Sequence, residues 1–290
     1  MFRKSIIILF FLPFLIMACA TTKTPLQKKL FTDSTPQFNG YISKIYEPIQ
    51  PIYKPVESNF KLSISIDFAE TKNSSTDKFT KYIEITGIYK IEKLGDLLTW
   101  EYKSINITVD GKTVTLKGSP AFCRILMDRF GNIQEIELMH PNFSVPNISP
   151  KKKSELINYF KIIHKITYPP LSTNTVRSGD PIVKIRAHNV SEIDTELRKD
   201  FRRYDGLEYI VNGWSFFNKK KVIVASINKI ADETKDGIDM QIKINGYNLY
   251  DAETFQIVDG YLDIMLVSNP SSNIKGSGKI LIHRSAKLKK

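Results

Sequence analysis

Between Phe60 and Phe68 every second residue is apolar: Phe60, Leu62, Ile64, Ile66 and Phe68 alternate with Lys61, Ser63, Ser65 and Asp67. Successive side chains of a β-strand point to opposite faces, so this pattern commits the segment to a sheet with one dry face and one wet face. The same alternation returns far along the chain in Ile238, Met240, Ile242 and Ile244. A helix cannot use such a period, because its apolar residues recur every three or four positions.

The rest of the chain extends the β pattern. Tyr82 to Ile91 and Leu98 to Val109 read as strands. Asp110-Gly111 then supplies the positive-φ turn of a hairpin between Ile105–Val109 and Thr113–Leu116. Asp128-Arg129-Phe130-Gly131-Asn132 marks a second turn, between Phe122–Met127 and Ile133–Leu138. A short strand is expected around Ile182–Ala187, and longer ones at Leu207–Trp214, Lys221–Ile230, Ile238–Tyr250, Gln256–Val267 and Lys279–His283. Helical signals interrupt this run. Ser149 is an N-cap with Pro150 in the first turn, and Leu156, Phe160 and Ile163 share one face before Pro169-Pro170. Ser191 caps a second stripe of Ile193, Leu197 and Phe201. The fold class expected is therefore α+β and mostly antiparallel β. It is one large curved sheet or open half-barrel of about ten strands, with two central helices near 150–166 and 191–204.

The N-terminus concerns location. Arg3 and Lys4 precede the apolar run Ile6–Leu15, which Pro13 interrupts and which ends at Ala18-Cys19. That run falls short of the roughly 20 apolar residues of a spanning helix, so a cleaved export signal fits better than an anchor. Ile16-Met17-Ala18-Cys19 resembles the lipobox of bacterial lipoproteins, departing from it at Ile16, where Leu is usual, and at Met17, where a small residue is usual. The resemblance implies cleavage between Ala18 and Cys19, acylation of Cys19 and attachment to a bacterial membrane. Ala20, in place of the Asp that retains many such proteins in the inner membrane, points to the outer one. The expected organisation is a signal peptide over 1–18, the lipidated Cys and a proline-rich tether over 19–58, and a single β-rich domain over 59–290. Pro25, Pro36, Pro48, Pro51 and Pro55 mark the tether, while Tyr41, Ile45, Tyr46, Ile49, Ile52 and Tyr53 suggest that part of it packs on the domain.

A formal charge of +12 falls to +10 once Arg3 and Lys4 leave with the signal. Export argues against nucleic acid as the partner of this charge, and the cations are scattered in the manner of solvated faces. After Cys19, only Cys123 remains, within an apolar run that suits a buried small side chain. His140, His164, His188 and His283 lie far apart and in no metal-ligand spacing. No nucleophile elbow, phosphate loop or dinucleotide fingerprint is present, and the paired Glu135 and Glu137 read as a solvated surface. No enzyme activity, metal or cofactor is expected. One cluster stands apart: Trp214, Phe216 and Phe217 beside Lys219, Lys220 and Lys221. Its plain reading is a strand end followed by a solvated turn; its sharper reading is contact with lipid headgroups or a polyanion.

The turns Asp128-Arg129-Phe130-Gly131-Asn132-Ile133 and Leu249-Tyr250-Asp251-Ala252-Glu253-Thr254-Phe255-Gln256-Ile257-Val258, together with the signal and the strand pattern, resemble the open half-barrel lipoproteins of the cell envelope, the lipoprotein-carrier class. That resemblance implies a curved sheet, closed by helices, whose concave face holds an acyl chain or another apolar ligand. The alternative is a structural lipoprotein that holds partner proteins at the envelope and binds no small molecule. A carrier calls for an apolar cavity, a scaffold for a filled core and an exposed apolar patch.

Overall fold

The computed structural model describes residues 38–72, 75–109, 112–117, 121, 123–139, 164, 168–185, 207–235, 238–268 and 275–289. Within them lie β1 (Val56–Lys72), β2 (Ser75–Leu94), β3 (Leu97–Val109), β4 (Lys112–Lys117), β5 (Cys123–Met127) and β6 (Ile133–Leu138). They continue with β7 (Pro181–Ile185), β8 (Leu207–Phe217), β9 (Lys220–Lys235), β10 (Ile238–Asp251), β11 (Ile257–Ser268) and β12 (Lys275–Lys289). All belong to one open, curved sheet in the order β6-β5-β3-β2-β1-β12-β11-β10-β9-β8-β7, with β4 beside β3.

The chain enters at the centre of this sheet, meanders to one edge, restarts at the opposite edge and meanders back. Each pairing is antiparallel, as strands joined by short turns must be. The two halves meet where β1 pairs with β12, in continuous register from Glu57 opposite Lys289 to Thr71 opposite Lys275. The outer side of β3 is shared: Leu98–Tyr102 pair with β5, and Ser104–Val109 pair with β4. Both outermost strands are poor templates for further pairing. β6 is short and carries Glu135 and Glu137, and β7 is shorter and begins at Pro181.

The expected alternation sorts the two faces. Phe60, Leu62, Ile64 and Ile66 are at most 5% exposed, whereas Lys61 and Asp67 are exposed. Register carries these side chains into rows across the sheet. Ile64 lies between Ile83 and Ile282, and Ile264 lies between Ile244 and Ile280. We call this apolar side the inner face. Burying each such isoleucine contributes about 1.5–3 kcal/mol before conformational entropy is counted.

The strands are more numerous and longer than the pattern alone indicates. β1 starts at Val56 rather than Phe60, and β12 runs from Lys275 to Lys289 rather than from Lys279 to His283. Gly276, Gly278, Arg284 and Ala286 occupy inner-face positions of β12, so its alternation is broken by side chains that cross-strand pairing nevertheless accommodates. Val109 pairs with Lys112, which leaves a two-residue connection where the Asp110-Gly111 turn is expected, although those two residues lie outside the described set. The helices expected near 150–166 and 191–204 also lie outside it, apart from His164.

The stretch read as tether is structured over 38–54. Phe38 and Ile42 pack on the outer face against Val222, Val224, Leu249 and Val258. Ser43 pairs with Trp214 along the part of β8 that β7 leaves free, and Ile45, Ile49 and Tyr53 then join the main core. The segment thus wraps a sheet edge. Gly213 permits the wrap: its φ is +156°, and a Cβ there would collide with the Ser43 carbonyl oxygen and Ile42.

Candidate functional site

The inner face has two ends of different chemistry. At the end where β1 begins, the segments 45–54 and 168–180 cross it and are tied down by directional bonds. The Tyr53 N–H donates to the Arg129 carbonyl at 2.8 Å, and the Tyr53 hydroxyl donates to the Pro169 carbonyl at 2.9 Å. Leu171 N–H donates to the Phe130 carbonyl at 2.7 Å, and Leu171 also bridges to Val183 of β7. Ile49 and Val176 bond each other in both directions, at 2.9 and 2.8 Å.

Beneath these segments sits a nest of rings around the fully buried Trp100. Its ring centroid lies 4.2 Å from Tyr168, 4.5 Å from Tyr89 and 4.6 Å from His164, with Tyr53 edge-on at 6.0 Å. The ring hydroxyls find partners, as buried phenols must. Tyr102 Oη lies 3.0 Å from His164 Nδ1, and Tyr89 donates to Gln256 Oε1 at 3.0 Å. Asn248 Nδ2 donates to Tyr250 Oη at 3.1 Å, and Arg284 donates to Tyr209 Oη at 3.2 Å. Burial pushes the Tyr89 phenol up to about 12 and raises Tyr53, Tyr102, Tyr168 and Tyr250 as well. Neutral phenols in fixed hydrogen bonds are structural groups rather than acids or bases at neutral pH.

Towards the other end the inner face becomes a wall of Ile64, Ile66, Ile83, Ile242, Ile244, Ile264, Ile280 and their neighbours. Each of these seven is at most 6% exposed. Contacts between such side chains carry no directional preference, so the wall specifies an apolar surface but no particular shape against it. Lys81, in register with Ile66, and Lys229, in register with Ile244, share this face. Lys81 was readable in the sequence, because it occupies the apolar phase of Ile83, Ile85, Tyr89 and Ile91; the reading that began the strand at Tyr82 passed over it. The ring nest had no comparable signal: Tyr53, Trp100, His164 and Tyr168 are brought together from three separate stretches of chain.

Both turns that carried the family resemblance are built on an aspartate. Asp128 Oδ1 accepts from the N–H groups of Phe130 and Asn132, at 2.8 and 2.9 Å. Asp251 Oδ1 accepts from the N–H and hydroxyl of Thr254, both at 2.9 Å. These are Asx-type turns that fix strand connections and hold no chemistry of their own.

The aromatic and basic cluster lies at the β8–β9 hairpin. Asn218 and Lys219 take positive φ values of 49° and 64°, the conformation of a tight two-residue turn. Phe217 packs on the small outer core, Lys221 Nζ sits 4.1 Å from the Trp214 ring centroid, and Phe216 is 72% exposed. Lys219, Lys220 and Lys221 are exposed. The fold adds a residue that the sequence reading did not connect with them. Ser215 Oγ donates to the Tyr41 carbonyl at 2.7 Å, bringing Tyr41, 86% exposed, to the same corner. Ala18 and Cys19 lie outside the described residues.

Elsewhere on the outer face, an open groove of about 570 Å³ is lined by Glu92, Glu101, Glu135, Glu137, Lys93 and Arg124 among others. Arg124 reaches Glu101 at 2.8 Å and Glu137 at 3.6 Å, and Glu92 pairs with Lys90. His283 Nε2 lies 3.0 Å from Asp259 Oδ1, and its ring stacks on Tyr261 at 4.2 Å. Cys123 is buried and its thiol is pushed up to about 12 by desolvation, far from a reactive thiolate. Among the described residues no cluster of His, Cys, Asp and Glu is placed to hold a metal, and no helix is long and apolar enough to cross a membrane.

The sequence matches no family model and no curated protein. Among solved structures it is similar to one of lipid–protein interactions in lipovitellin, at 10% identity and a TM-score of 0.40; the match covers 82% of this chain but only 26% of that one. It is also similar to DynF from the dynemicin biosynthesis pathway of Micromonospora chersina, at 7% identity and a TM-score of 0.22, covering 92% of this chain and 94% of that one. A third is a putative outer membrane lipoprotein-sorting protein domain from Vibrio parahaemolyticus, at 9% identity and a TM-score of 0.17, covering 79% and 85%.

Proposed function

We propose that this chain is a noncatalytic, membrane-anchored lipoprotein of the bacterial cell envelope that shelters an apolar or lipid-like ligand against the isoleucine wall of its curved sheet. The observation that carries the reading is the division of the inner face. One end is closed by hydrogen-bonded segments over stacked rings, and the other is a continuous aliphatic row from five strands, β2, β1, β12, β11 and β10, whose isoleucines are each at most 6% exposed. Aliphatic walls with few polar groups are how proteins accommodate acyl chains.

In this reading the signal is cleaved between Ala18 and Cys19, and acyl groups on Cys19 hold the protein at the membrane, with Ala20 favouring the outer membrane. Eighteen residues separate Cys19 from Phe38, where the described chain begins, and the nineteen Cα-to-Cα steps reach at most about 65 Å. The corner formed by Tyr41, Trp214, Phe216 and Lys219–Lys221 then rests on lipid headgroups beside the tether. Charge reversal at all three lysines is expected to weaken binding of the unlipidated protein to anionic vesicles; unchanged binding would remove that contact from the account.

Native mass spectrometry of protein extracted from its own membrane tests the carrier reading. A copurified lipid on the chain, beyond the covalent acyl groups, supports it. A copurified protein with no lipid supports the competing reading, a scaffold that holds envelope partners.

A further inference from the structure

The most exposed large hydrophobic side chains among the described residues are Tyr41 at 86%, Tyr46 at 79% and Phe216 at 72%. All three belong to one edge of the sheet. Ser43 pairs with Trp214 in the antiparallel sense, so two residues towards the β8–β9 turn Tyr41 comes beside Phe216, and the Ser215 hydroxyl bonded to the Tyr41 carbonyl holds the two strands together there. Phe216 is in turn opposite Lys221. At these exposures the rings contribute little to the core, and they leave apolar carbon in water at a single corner.

The cations beside them are also unused. Lys44, Lys219, Lys220 and Lys221 are exposed, and none of them forms an ion pair among the described residues. Elsewhere in the sheet Lys61 pairs with Glu84, Lys90 with Glu92, and Lys103 and Lys289 with Glu57. Even with Glu47 and Glu253 on the adjoining turns, the corner keeps a net positive charge.

The corner lies where the tether leaves the domain. Phe38, three residues before Tyr41, packs on Tyr247 and the small outer core, and eighteen residues separate it from Cys19. Ala252 N–H donates to the Lys221 carbonyl at 3.1 Å, and Lys54 N–H donates to the Thr254 carbonyl at 3.2 Å. These bonds put the β8–β9 turn at the end of the sheet where β1 starts and the ring nest closes the inner face. The β1–β2, β3–β4, β9–β10 and β11–β12 connections lie at the opposite end. An acylated Cys19 on such a tether sets a distance from the membrane but no orientation. Aromatic rings settle at the boundary between headgroups and acyl chains, and lysines beside them favour anionic headgroups.

We propose that Tyr41 and Phe216 insert at the headgroup–acyl boundary of an anionic phospholipid membrane, with Lys219–Lys221 on its headgroups, and that this second attachment turns the ring-nest end of the sheet towards the bilayer. This rests on the membrane-anchored reading and adds penetration by two named rings and a direction for the whole domain.

The test uses the full chain, processed and acylated in its own host and reconstituted into vesicles of phosphatidylethanolamine and phosphatidylglycerol. Cys123 is buried, so an added cysteine takes a nitrobenzoxadiazole label selectively. Lys220→Cys puts the label beside the rings, and Thr113→Cys, exposed on β4 next to the β3–β4 connection, puts it at the opposite end. Lipids with a nitroxide on the acyl chain are expected to quench the label at 220 about twofold or more and to leave the label at 113 unchanged. Adding Tyr41→Ser and Phe216→Ser to Lys220→Cys is expected to abolish the quenching, with circular dichroism and thermal melting establishing that the variant is folded. Vesicles of phosphatidylcholine alone are expected to give weaker quenching, and equal quenching there would overturn the part assigned to the lysines. Quenching that survives the loss of both rings, or that is equal at 220 and 113, overturns the insertion. Absence of quenching at 220 in protein that still sediments with the vesicles also overturns it, leaves the lipid anchor standing and directs the corner to a protein or polysaccharide. Protein that carries no acyl group and does not sediment with the vesicles overturns the anchor and the insertion together.

Discussion

The two ends of the inner face are both buried and are built by opposite means. Around Trp100, rings meet at set distances and angles, hydroxyls are spent on named partners, and two crossing segments are bonded through their backbones. Along Ile64, Ile244, Ile264 and Ile280 nothing but shape and hydrophobicity is specified. Directional contacts make an end that resists repacking. Non-directional ones make a surface whose apolar cover can be exchanged with little penalty. In the proposed reading the first end has a structural task and the second a binding one.

The sharpest way to break that comparison is Trp100→Ala. Removing the centre of the nest is expected to cost about 3–5 kcal/mol in urea denaturation. A loss no greater than that of a wall substitution would contradict the division. Gly213→Ala acts at the point where the 38–54 segment turns round β8. Backbone strain and the clash with Ser43 are expected to cost about 1–3 kcal/mol and to raise proteolysis within 38–54 before the sheet is cut. On the wall, Ile264→Val is expected to cost only about 0.5–1.5 kcal/mol while measurably changing apolar-probe affinity, a separation of stability from binding that no ring substitution should show.

The smallest effect belongs to the outer face. Lys289 and Lys103 hold the Glu57 carboxyl down to about 2, from an ordinary value of 4.5. A depressed carboxylate stabilises the fold above its ordinary value and ceases to do so as pH falls through the lowered one, so this contribution disappears between about 4.5 and 2. The group is solvent-screened, and the expected difference between wild type and Glu57→Gln is under about 1 kcal/mol at neutral pH, vanishing near pH 2. Cys123 offers a probe of closure: iodoacetamide at pH 8 is expected to leave it unmodified in the native protein and to label it in denaturant.

The two ends also differed in how much of them the sequence disclosed. The wall was legible because alternation is a local property: Phe60–Phe68 and Ile238–Ile244 announced their faces before any pairing was known. Even its lysine could be read, once the phase of Ile83 and Ile85 is extended backwards by one step. The ring nest was not legible. Tyr53 sits in a proline-rich stretch that looks like linker, Trp100 in an ordinary strand, and Tyr168 beside Pro169-Pro170, and only the crossing of segments far apart in sequence puts them in contact. β12 was legible in its middle, at Ile280 and Ile282, and hidden at its ends, where Gly276, Gly278 and Arg284 interrupt the apolar phase. The Trp214–Lys221 hairpin was read from its composition, whereas its partner Tyr41 follows from the edge-wrapping segment that Gly213 allows.

The central claim is that the ligand lies on the aliphatic end and not in the nest. Photocrosslinking of the full chain with a diazirine-bearing fatty acid, followed by peptide mapping, measures this directly. The account predicts adducts on β1, β2 and β10–β12 in peptides containing Ile64, Ile83, Ile244, Ile264 or Ile280, with Trp100 and Tyr168 peptides unlabelled. Labelling confined to the Trp100 and Tyr168 peptides, or to the outer face, would contradict it.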